Sequence, residues 1–187
     1  RREDVFEAQG RIDSDGGVVK ESTDLPSLCK EDFEAVAVCL LHASINPDHE
    51  KRLAGSKVFL SHQVAPGSGE YERGTTTVLA AYLSPRVVRY IENLESNLSE
   101  SELRIVHSAG GLLTAEEAKM LPHRLALSGP AAGLRGALEV GLECGEAHLV
   151  TLDMGGTSTD VALLADGELP YSWQTVVEGY PLRAPTL

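Results

Sequence analysis

The sequence predicts an α/β protein, and three observations lead to that prediction. Short, continuously apolar runs such as residues 35–41 have the length and composition of strands buried in a sheet. Segments with helical spacing of apolar residues follow at 75–83 and 85–98. Turn-forming residues separate the two kinds of segment along the 187-residue chain. Alternation of this kind predicts a largely parallel sheet.

Local patterns position the elements of the first half. Residues 13–17 are rich in Asp and Gly and predict a turn, with a hairpin inside the first 30 residues. Asn46 and Pro47 predict the cap and first turn of a helix after the strand at 35–41. A second strand is expected at Val58–Leu60. Ser84 followed by Pro85 predicts the end of one helix and the start of another.

The second half continues the alternation. Thr114 and Glu117 have the spacing of a capping box. Residues 128–141 predict a helix of small side chains that can approach another backbone closely. Asp166 and Gly167 predict a hairpin turn. Strands are predicted at 103–106, at 148–152 as a buried strand, at 158–164 and, returning, at 168–177.

Composition excludes several classes of partner. The chain has 28 acidic and 16 basic residues, and its net charge of -12 opposes binding to nucleic acid. No apolar run reaches the roughly 20 residues that span a bilayer, so no membrane partner is expected. Cys29, Cys39 and Cys144 lack the spacing of a disulfide framework or a zinc site, which favours a cytoplasmic location, and Cys39 is expected in the core.

The two ends predict a piece of a longer polypeptide. The chain begins without Met and ends without a closing helical pattern. Cutting a chain in this way exposes sheet edges and apolar surface, so a homo-oligomer is one expected consequence.

Chemistry is concentrated between residues 152 and 161. Asp153 ends an apolar run, and Gly155 and Gly156 follow it, where backbone N–H groups free of side chains can converge on phosphate oxygens. Thr157 and Ser158 add hydroxyl donors. A carboxylate repels phosphate, so the predicted role of Asp153 is to hold Mg²⁺ or its waters beside the phosphate. The pattern therefore indicates nucleotide hydrolysis.

A plainer interpretation of the same run is a hairpin turn. Glycines permit tight geometry, and Asp and Thr satisfy its backbone. Two features favour a functional site: the carboxylate stands at a strand end, where open α/β folds bind ligands, and the hydroxyls outnumber what a turn requires. Asp160 fits both interpretations equally, as a residue that caps the turn or as a ligand of the nucleotide site.

The run from Asp153 to Val161 resembles the motif of the hydantoinase A / 5-oxoprolinase family, whose members are large actin-like ATPases. Shorter blocks of the same family resemblance lie in family order along nearly the whole chain. They include residues 38–43 with Asn46 and Pro47, then 49–50, 70–73, 76–77, 81–85, 108–111, 128–133 and 179–183.

The resemblance implies a partial actin-like (ribonuclease H-like) ATPase fold. Residues 1–126 would be the C-terminal part of the family's N-terminal domain, and 127–187 the start of its second domain. The latter would hold the connecting helix and the second phosphate loop, with the first phosphate loop and the adenosine loop outside the chain.

The resemblance also implies an activity, which is ATP-dependent opening of a cyclic amide or imide such as hydantoin, N-methylhydantoin or 5-oxoproline. In this scheme Asp153 and Thr157 are catalytic, and Asp153 positions Mg²⁺ through water. Gly155, Gly156, Thr157, Ser158 and Asp160 bind the nucleotide. The implied cofactors are ATP and Mg²⁺, and the implied partner is a hydantoinase B-type subunit or domain. Residues 178–183 resemble the hydantoinase branch more than the oxoprolinase branch. The alternatives are a subunit of an ATP-dependent ketone carboxylase, a non-catalytic actin-like ATPase module, or a folded but inert piece.

Three histidines are further candidates for site residues. His42 and His49 bracket the loop between a strand and a helix, but a third metal ligand at suitable spacing is lacking, which favours structural roles. His107 stands at a strand end beside Gly110 and Gly111. Its position fits a pocket residue, although a hydrogen-bonded loop histidine is the commoner outcome.

Overall fold

The computed structural model describes residues 4–22, 33–67, 69–98, 101–156 and 159–187. Its elements, in chain order, are β1 (Arg11–Ile12), β2 (Val18–Lys20), β3 (Val36–Val38), α1 (Asp48–Lys51), β4 (Val58–Leu60), α2 (Ser61–Val64), α3 (Glu70–Asn97), β5 (Arg104–Val106), β6 (Leu112–Thr114), α4 (Ala115–Met120), a 3₁₀ helix (Pro122–Leu125), α5 (Ser128–Glu143), β7 (Leu149–Met154), β8 (Thr159–Leu164), β9 (Thr175–Val177) and β10 (Tyr180–Leu182). The chain divides into two compact units. The first unit contains residues 1–86 and 178–183, and the second contains 87–177 and 184–187.

The first unit contains the predicted hairpin and the predicted strand pair. β1 and β2 are antiparallel, and the carboxylate of Asp13 accepts from the backbone N–H groups of Asp15 and Gly17 inside the turn. β3 and β4 are parallel, with Val38, Leu53 and Leu60 in the core beneath them. Asp48 N–H donates to the Asn46 side chain at 3.0 Å, so Asn46 caps the short helix α1 as predicted.

Three predictions for the first unit are wrong. The strand at 35–41 pairs only over Val36–Val38, because side chains bind the peptide groups of Leu40 instead of a neighbouring strand. Cys39 is exposed rather than buried. The helix α3 also runs unbroken through Pro85 for 28 residues. Proline removes one hydrogen bond from the ladder, and buried residues on either side, Ala80 and Ile91, hold the helix together across it.

The second unit begins with a hairpin and a capped helix. β5 and β6 pair antiparallel from Arg104 opposite Thr114 to Val106 opposite Leu112. The predicted capping box is confirmed: Thr114 accepts from the backbone N–H of Glu117, and the Glu117 carboxylate accepts from the backbone N–H of Thr114. The core of this part contains Ile91, Leu113, Ala115 and Ala118.

The predicted helix at 128–141 is confirmed as α5, and it packs on the antiparallel hairpin β7–β8. Leu134 and Leu138 of α5 meet Leu164 of β8 in one apolar cluster. The predicted burial of residues 148–152 is wrong, since Val150 is 72% exposed and Leu152 63% exposed. Side chains alternate along a strand, and α5 covers only one face of the hairpin.

The predicted turn at Asp166 and Gly167 is confirmed, since both have positive φ angles of 56° and 72°. The strand expected at 168–177 is limited to β9, Thr175–Val177. The prediction of a largely parallel sheet is wrong. Among the described residues, β3 and β4 pair in parallel, whereas β1–β2, β5–β6 and β7–β8 are antiparallel. None of the helices in the described ranges is long and apolar enough to cross a membrane.

Candidate functional site

The hairpin β7–β8 brings two of the predicted site residues face to face. In its register Asp153 of β7 stands directly opposite Asp160 of β8. Thr151 and Leu149 lie two and four residues before Asp153 in β7. Because side chains alternate along a strand, all three lie on one face of the hairpin. Leu149 on that face packs against α5. The two carboxylates lie on the same face at the other end of the hairpin, next to Gly155 and Gly156.

A cavity of about 430 Å³ lies between this end of the hairpin and α5. Asp153 and Asp160 line one side of it, and Pro130 and Gly133 from the first turns of α5 line the other. No heavy atom lies within 4 Å of the position that a β-carbon would take on Gly133. The space beside α5 is therefore open at backbone level, as close approach of a ligand to a helix requires.

The amino-terminal end of α5 carries no negative charge of its own. Its first turn has no acidic residue, and no side chain caps its N–H groups. The unpaired N–H groups and the helix dipole make such an end favourable for an anion. The uncapped end of α5 begins two residues before Pro130, which lines the cavity, and the two carboxylates lie on the opposite wall.

Asp153 and Asp160 place two negative charges directly opposite each other, an arrangement that a bound cation would stabilise. Like charges directly opposite each other on neighbouring strands destabilise a sheet. Over the described ranges, neither Asp153 nor Asp160 has a basic partner within ion-pair distance, and no group of three His, Cys, Asp or Glu side chains could hold a metal ion. Two protein carboxylates are enough for Mg²⁺, which keeps several waters and takes further oxygens from phosphate.

The remaining predicted residues of the loop divide into two groups. Among the described residues, no atom outside its chain neighbours lies within 4 Å of a β-carbon placed on Gly156. Gly155 connects it to the end of β7. Thr157 and Ser158 lie outside the described residues, and their predicted hydroxyl contacts stay predictions. The predicted roles of Asp153, Gly155, Gly156 and Asp160 likewise rest on their arrangement around the cavity.

His42 and His49 both make local contacts within the first unit. His42 has a positive φ of 59°, and its carbonyl accepts from the backbone N–H groups of Ile45 and Asn46. His49 is 4% exposed, with Nε2 3.8 Å from the carboxylate of Glu21. Both histidines thus have places in local packing, as the sequence favoured.

The first unit contains a buried charged network that was not predicted from the sequence. Glu50 and Arg73 are both fully buried. Oε1 of Glu50 accepts from Ser61 Oγ at 2.6 Å, and Arg73 Nε donates to that same Oγ at 2.9 Å. Arg73 Nη2 donates to the carbonyl of Leu40 at 2.8 Å. Charged residues are ordinarily on the surface, so only the fold reveals that these two position the loop after β3.

Comparison with known protein families identifies the chain. The family described as hydantoinase/oxoprolinase matches residues 73–187, and the family described as hydantoinase/oxoprolinase N-terminal region matches residues 1–56. This chain belongs to the hydantoinase/oxoprolinase family. The resemblance seen in the sequence is therefore confirmed.

Two curated members of the family illustrate its range. The chain is 32% identical to 5-oxoprolinase of Saccharomyces cerevisiae, over 83% of this chain and 13% of that protein. It is 32% identical to caprolactamase subunit alpha of Pseudomonas jessenii, over 95% of this chain and 28% of that protein. The chain thus spans less than a third of the length of either relative.

Solved structures of the family have the same fold. Nucleotide-free acetone carboxylase matches with a TM-score of 0.80 and 27% identity, over 96% of this chain and 28% of that one. ATP-dependent caprolactamase from Pseudomonas jessenii matches with a TM-score of 0.76 and 28% identity, over the same shares. The partial actin-like ATPase fold of this hydantoinase/oxoprolinase chain is confirmed by these likenesses. The domain boundary expected between residues 126 and 127 stays a prediction.

Proposed function

We propose that this hydantoinase/oxoprolinase protein opens a cyclic amide or imide at the expense of ATP, and that the cavity between α5 and β7–β8 binds the phosphate end of the nucleotide. The observation that carries the proposal is the pair of carboxylates, Asp153 and Asp160, facing each other beside an uncapped helix end. The likeness to 5-oxoprolinase and to ATP-dependent caprolactamase supports the class of substrate.

The proposed chemistry starts from the stability of the ring amide. The ring carbonyl oxygen attacks the γ-phosphorus of ATP, the bond to the bridging oxygen breaks, and ADP leaves. Water then adds to the activated carbon, the ring C–N bond breaks, and the nitrogen takes a proton. The product of this cleavage is an acyl phosphate, and a second water hydrolyses it to inorganic phosphate and an open-chain carboxylate. Phosphorylation helps because phosphate is a far better leaving group than oxide.

In this proposal each described residue has a task that its position permits. Gly155 and Gly156 present backbone N–H groups to phosphate, and Thr157 and Ser158 are proposed to add hydroxyl donors. The amino-terminal end of α5 provides a positive potential near the same oxygens. Asp153 and Asp160 hold positive charge beside the phosphates and keep water oriented there.

The two carboxylates fit Mg²⁺ as the implied metal. Mg²⁺ prefers oxygen ligands and commonly takes one or two carboxylates, with water and phosphate completing its shell. Bound there with ATP, it would neutralise charge on the transferring phosphoryl group. A B-type partner subunit is part of the proposal, and the description of the Pseudomonas relative as subunit alpha supports it.

The test uses the full-length protein with its partner subunit. ADP release and ring-opened product are measured on hydantoin, N-methylhydantoin, 5-oxoproline and caprolactam, for wild type, Asp153→Asn and Asp160→Asn. Asp153→Asn is expected to lower kcat by about 100-fold or more, as the loss of one preorganised group at developing charge does elsewhere. Asp160→Asn is expected to raise the Mg²⁺ concentration for half-maximal rate about tenfold if it is a ligand.

Asp166→Asn is the matched control. Asp166 belongs to the same hairpin region, its side chain is 83% exposed, and its positive φ of 56° suits Asn. Its substitution is expected to leave kcat within about twofold of wild type. Turnover of a cyclic amide that is unchanged in Asp153→Asn would exclude the proposed role, and ATP turnover without opening of any ring would exclude the proposed substrate class.

A second candidate uses the same phosphate cavity on a different substrate. The likeness to acetone carboxylase, with a TM-score of 0.80, favours ATP-dependent carboxylation of a ketone. The enolate oxygen of a ketone would then be phosphorylated instead of an amide oxygen. Acetone with bicarbonate, included as a fifth substrate in the same assay, distinguishes the two, because only this candidate predicts ADP release dependent on both.

A further inference from the structure

A second cavity, of about 570 Å³, lies in the second unit and takes no part in the proposed phosphate site. Its walls come from the loop between β5 and β6, from α5 and from the segment after β8. The lining residues that carry its chemistry are His107, Gly110, Gly111, Ala132, Arg135 and Tyr171.

The two cavities lie against different sides of α5. Pro130, Gly133 and Leu134 line the phosphate cavity, and Ala132 and Arg135 line the second one. At about 100° per residue, the first three positions project to one side of the helix and the last two to roughly the opposite side. The second cavity is therefore a separate site.

The hydrogen bonding of His107 fixes which of its ring nitrogens carries a proton. The backbone N–H of Ala109 donates to Nδ1 at 3.2 Å, so Nδ1 is an acceptor without a proton. Burial, with a smaller contribution from the neighbouring Arg124 charge, lowers the pKa of His107, and the ring is neutral near pH 7. A neutral ring with a bare Nδ1 carries its proton on Nε2, which makes Nε2 a donor.

Gly111 is needed for this placement of the ring. A β-carbon on Gly111 would lie 2.6 Å from Nε2 of His107, well inside contact distance. Any other residue at 111 would push the ring away. Gly111 thus leaves room for the ring of His107, and both residues line the cavity.

The other polar side chains of the cavity also donate hydrogen bonds. Arg135 uses Nη2 in an ion pair with Glu139 at 2.8 Å, which leaves further N–H groups of the guanidinium for a ligand. Tyr171 supplies a hydroxyl, and it is 59% exposed at the rim. Among the residues that the structure describes, no Asp or Glu lines this cavity. A wall that offers a histidine donor and a guanidinium matches a ligand with several acceptor oxygens.

We propose that this cavity binds a small monocarboxylate, with Nε2–H of His107 and the guanidinium of Arg135 donating to its carboxylate oxygens. The apolar walls formed by Val106, Ala109 and Leu112 suit a small organic body attached to the carboxylate. The inference does not depend on the proposed reaction, because it concerns binding at a different side of α5.

The test compares two ligands that differ only by a carboxylate. Binding of 5-oxoproline and of 2-pyrrolidinone, the same ring without the carboxylate, is measured by titration calorimetry on the full-length protein without nucleotide. 5-Oxoproline is expected to bind at least about tenfold more tightly, because a carboxylate engages charge-assisted donors. Equal affinities for the two rings would overturn the proposal.

Two substitutions at one position separate the donor from the packing of the ring. His107→Asn keeps an acceptor near Ala109 N–H but lacks a donor at Nε2, and is expected to weaken 5-oxoproline binding about tenfold. His107→Gln can return an N–H near the position of Nε2, and is expected to restore affinity to within about threefold of wild type. Unchanged binding in His107→Asn would overturn the proposal.

Matched controls distinguish this cavity from the phosphate cavity. His148 also accepts a backbone N–H on Nδ1, from Asp166 at 3.4 Å, but lies outside the cavity, so His148→Asn is expected to bind as wild type does. Asp153→Asn is expected to retain 5-oxoproline binding while losing ATP turnover. If Asp153→Asn lost 5-oxoproline binding, the proposal of a separate carboxylate site would be overturned, while the proposed function would stand. If Asp153→Asn lost ATP turnover but retained 5-oxoproline binding, the result would support both proposals.

Discussion

The carboxylate of Glu50 accepts hydrogen bonds on both oxygens, and replacing it by glutamine leaves at least one buried donor without an acceptor. Oε1 accepts from the Leu40 N–H and from Ser61 Oγ. Oε2 accepts from the His62 N–H at 3.0 Å and contacts His62 Nδ1 at 2.7 Å. The amide of glutamine has only one acceptor oxygen. Whichever way it turns, its NH₂ faces a backbone N–H that cannot rotate away, either that of Leu40 or that of His62.

The expected cost follows from these contacts. One buried backbone N–H left without an acceptor costs about 1–3 kcal/mol, and the surviving bonds lose the strength that a charged acceptor gave them. Glu50→Gln is therefore expected to destabilise the first unit by about 2–4 kcal/mol. A local opening free energy reduced by that amount corresponds to a loss of about 30- to 1,000-fold in amide protection.

Hydrogen exchange of the full-length protein is the appropriate assay, because global unfolding of a long, multi-unit chain does not follow a two-state transition. The amides of Leu40 and His62 are followed in wild type and in Glu50→Gln. Glu116→Gln is the matched control, since its side chain is 78% exposed and pairs with Lys119 on the surface. The control is expected to change stability by less than about 0.5 kcal/mol. Equal protection of both amides in the two variants would refute the argument that Glu50 holds this loop.

Four further outcomes follow from the second unit. Burial lowers the pKa of His123 to about 4, so its folded form resists protonation. Stability is fully present above about pH 6.5 and falls by about 3 kcal/mol as the pH drops through 4. His123→Phe should abolish this loss in urea titrations of the full-length protein followed by hydrogen exchange of second-unit amides. Thr114→Ala removes the capping box with Glu117 and should cost about 1 kcal/mol in the same titrations. Gly136→Ala adds a β-carbon that meets nothing within 4 Å inside α5, and should raise the melting temperature by stabilising the helix about 0.5–1 kcal/mol, whereas Gly111→Ala should displace the His107 ring.

Features set by neighbouring residues could be predicted from the sequence. The capping box at Thr114 depends on two side chains three residues apart, and the turn at Asp166 and Gly167 depends on residues that tolerate positive φ. The motif from Asp153 onward was equally local, and it led to the family. In each case the interaction that decides the structure lies within a few positions of the chain.

Features set by distant residues could not be predicted. The strand at 35–41 ends early because Glu50 and Arg73 bind the peptide of Leu40, and these residues are 10 and 33 positions away. The exposure of Val150 depends on which face of its hairpin α5 covers. Pro85 predicts a helix end by itself, but packing on both sides outweighs the one bond it removes. Tertiary contacts override local preference at all three places.

The carboxylate pair also provides a way to separate a binding site from a mere turn. If Asp153 and Asp160 only completed a hairpin, adding Mg²⁺ and ATP would not change the stability difference between wild type and Asp160→Asn. If they are arranged for a cation, their repulsion costs stability without the metal, so Asp160→Asn should stabilise the metal-free protein by a few tenths of a kcal/mol to about 1 kcal/mol. Wild type should recover that difference when Mg²⁺ and ATP are added, and the variant should not. Thermal melts of both proteins with and without Mg²⁺ and ATP measure these four stabilities, and a variant that is less stable than wild type in every condition would favour the plain hairpin turn. Selection for function rather than stability would retain a carboxylate pair that lowers the stability of the metal-free protein and binds a cation at this strand end.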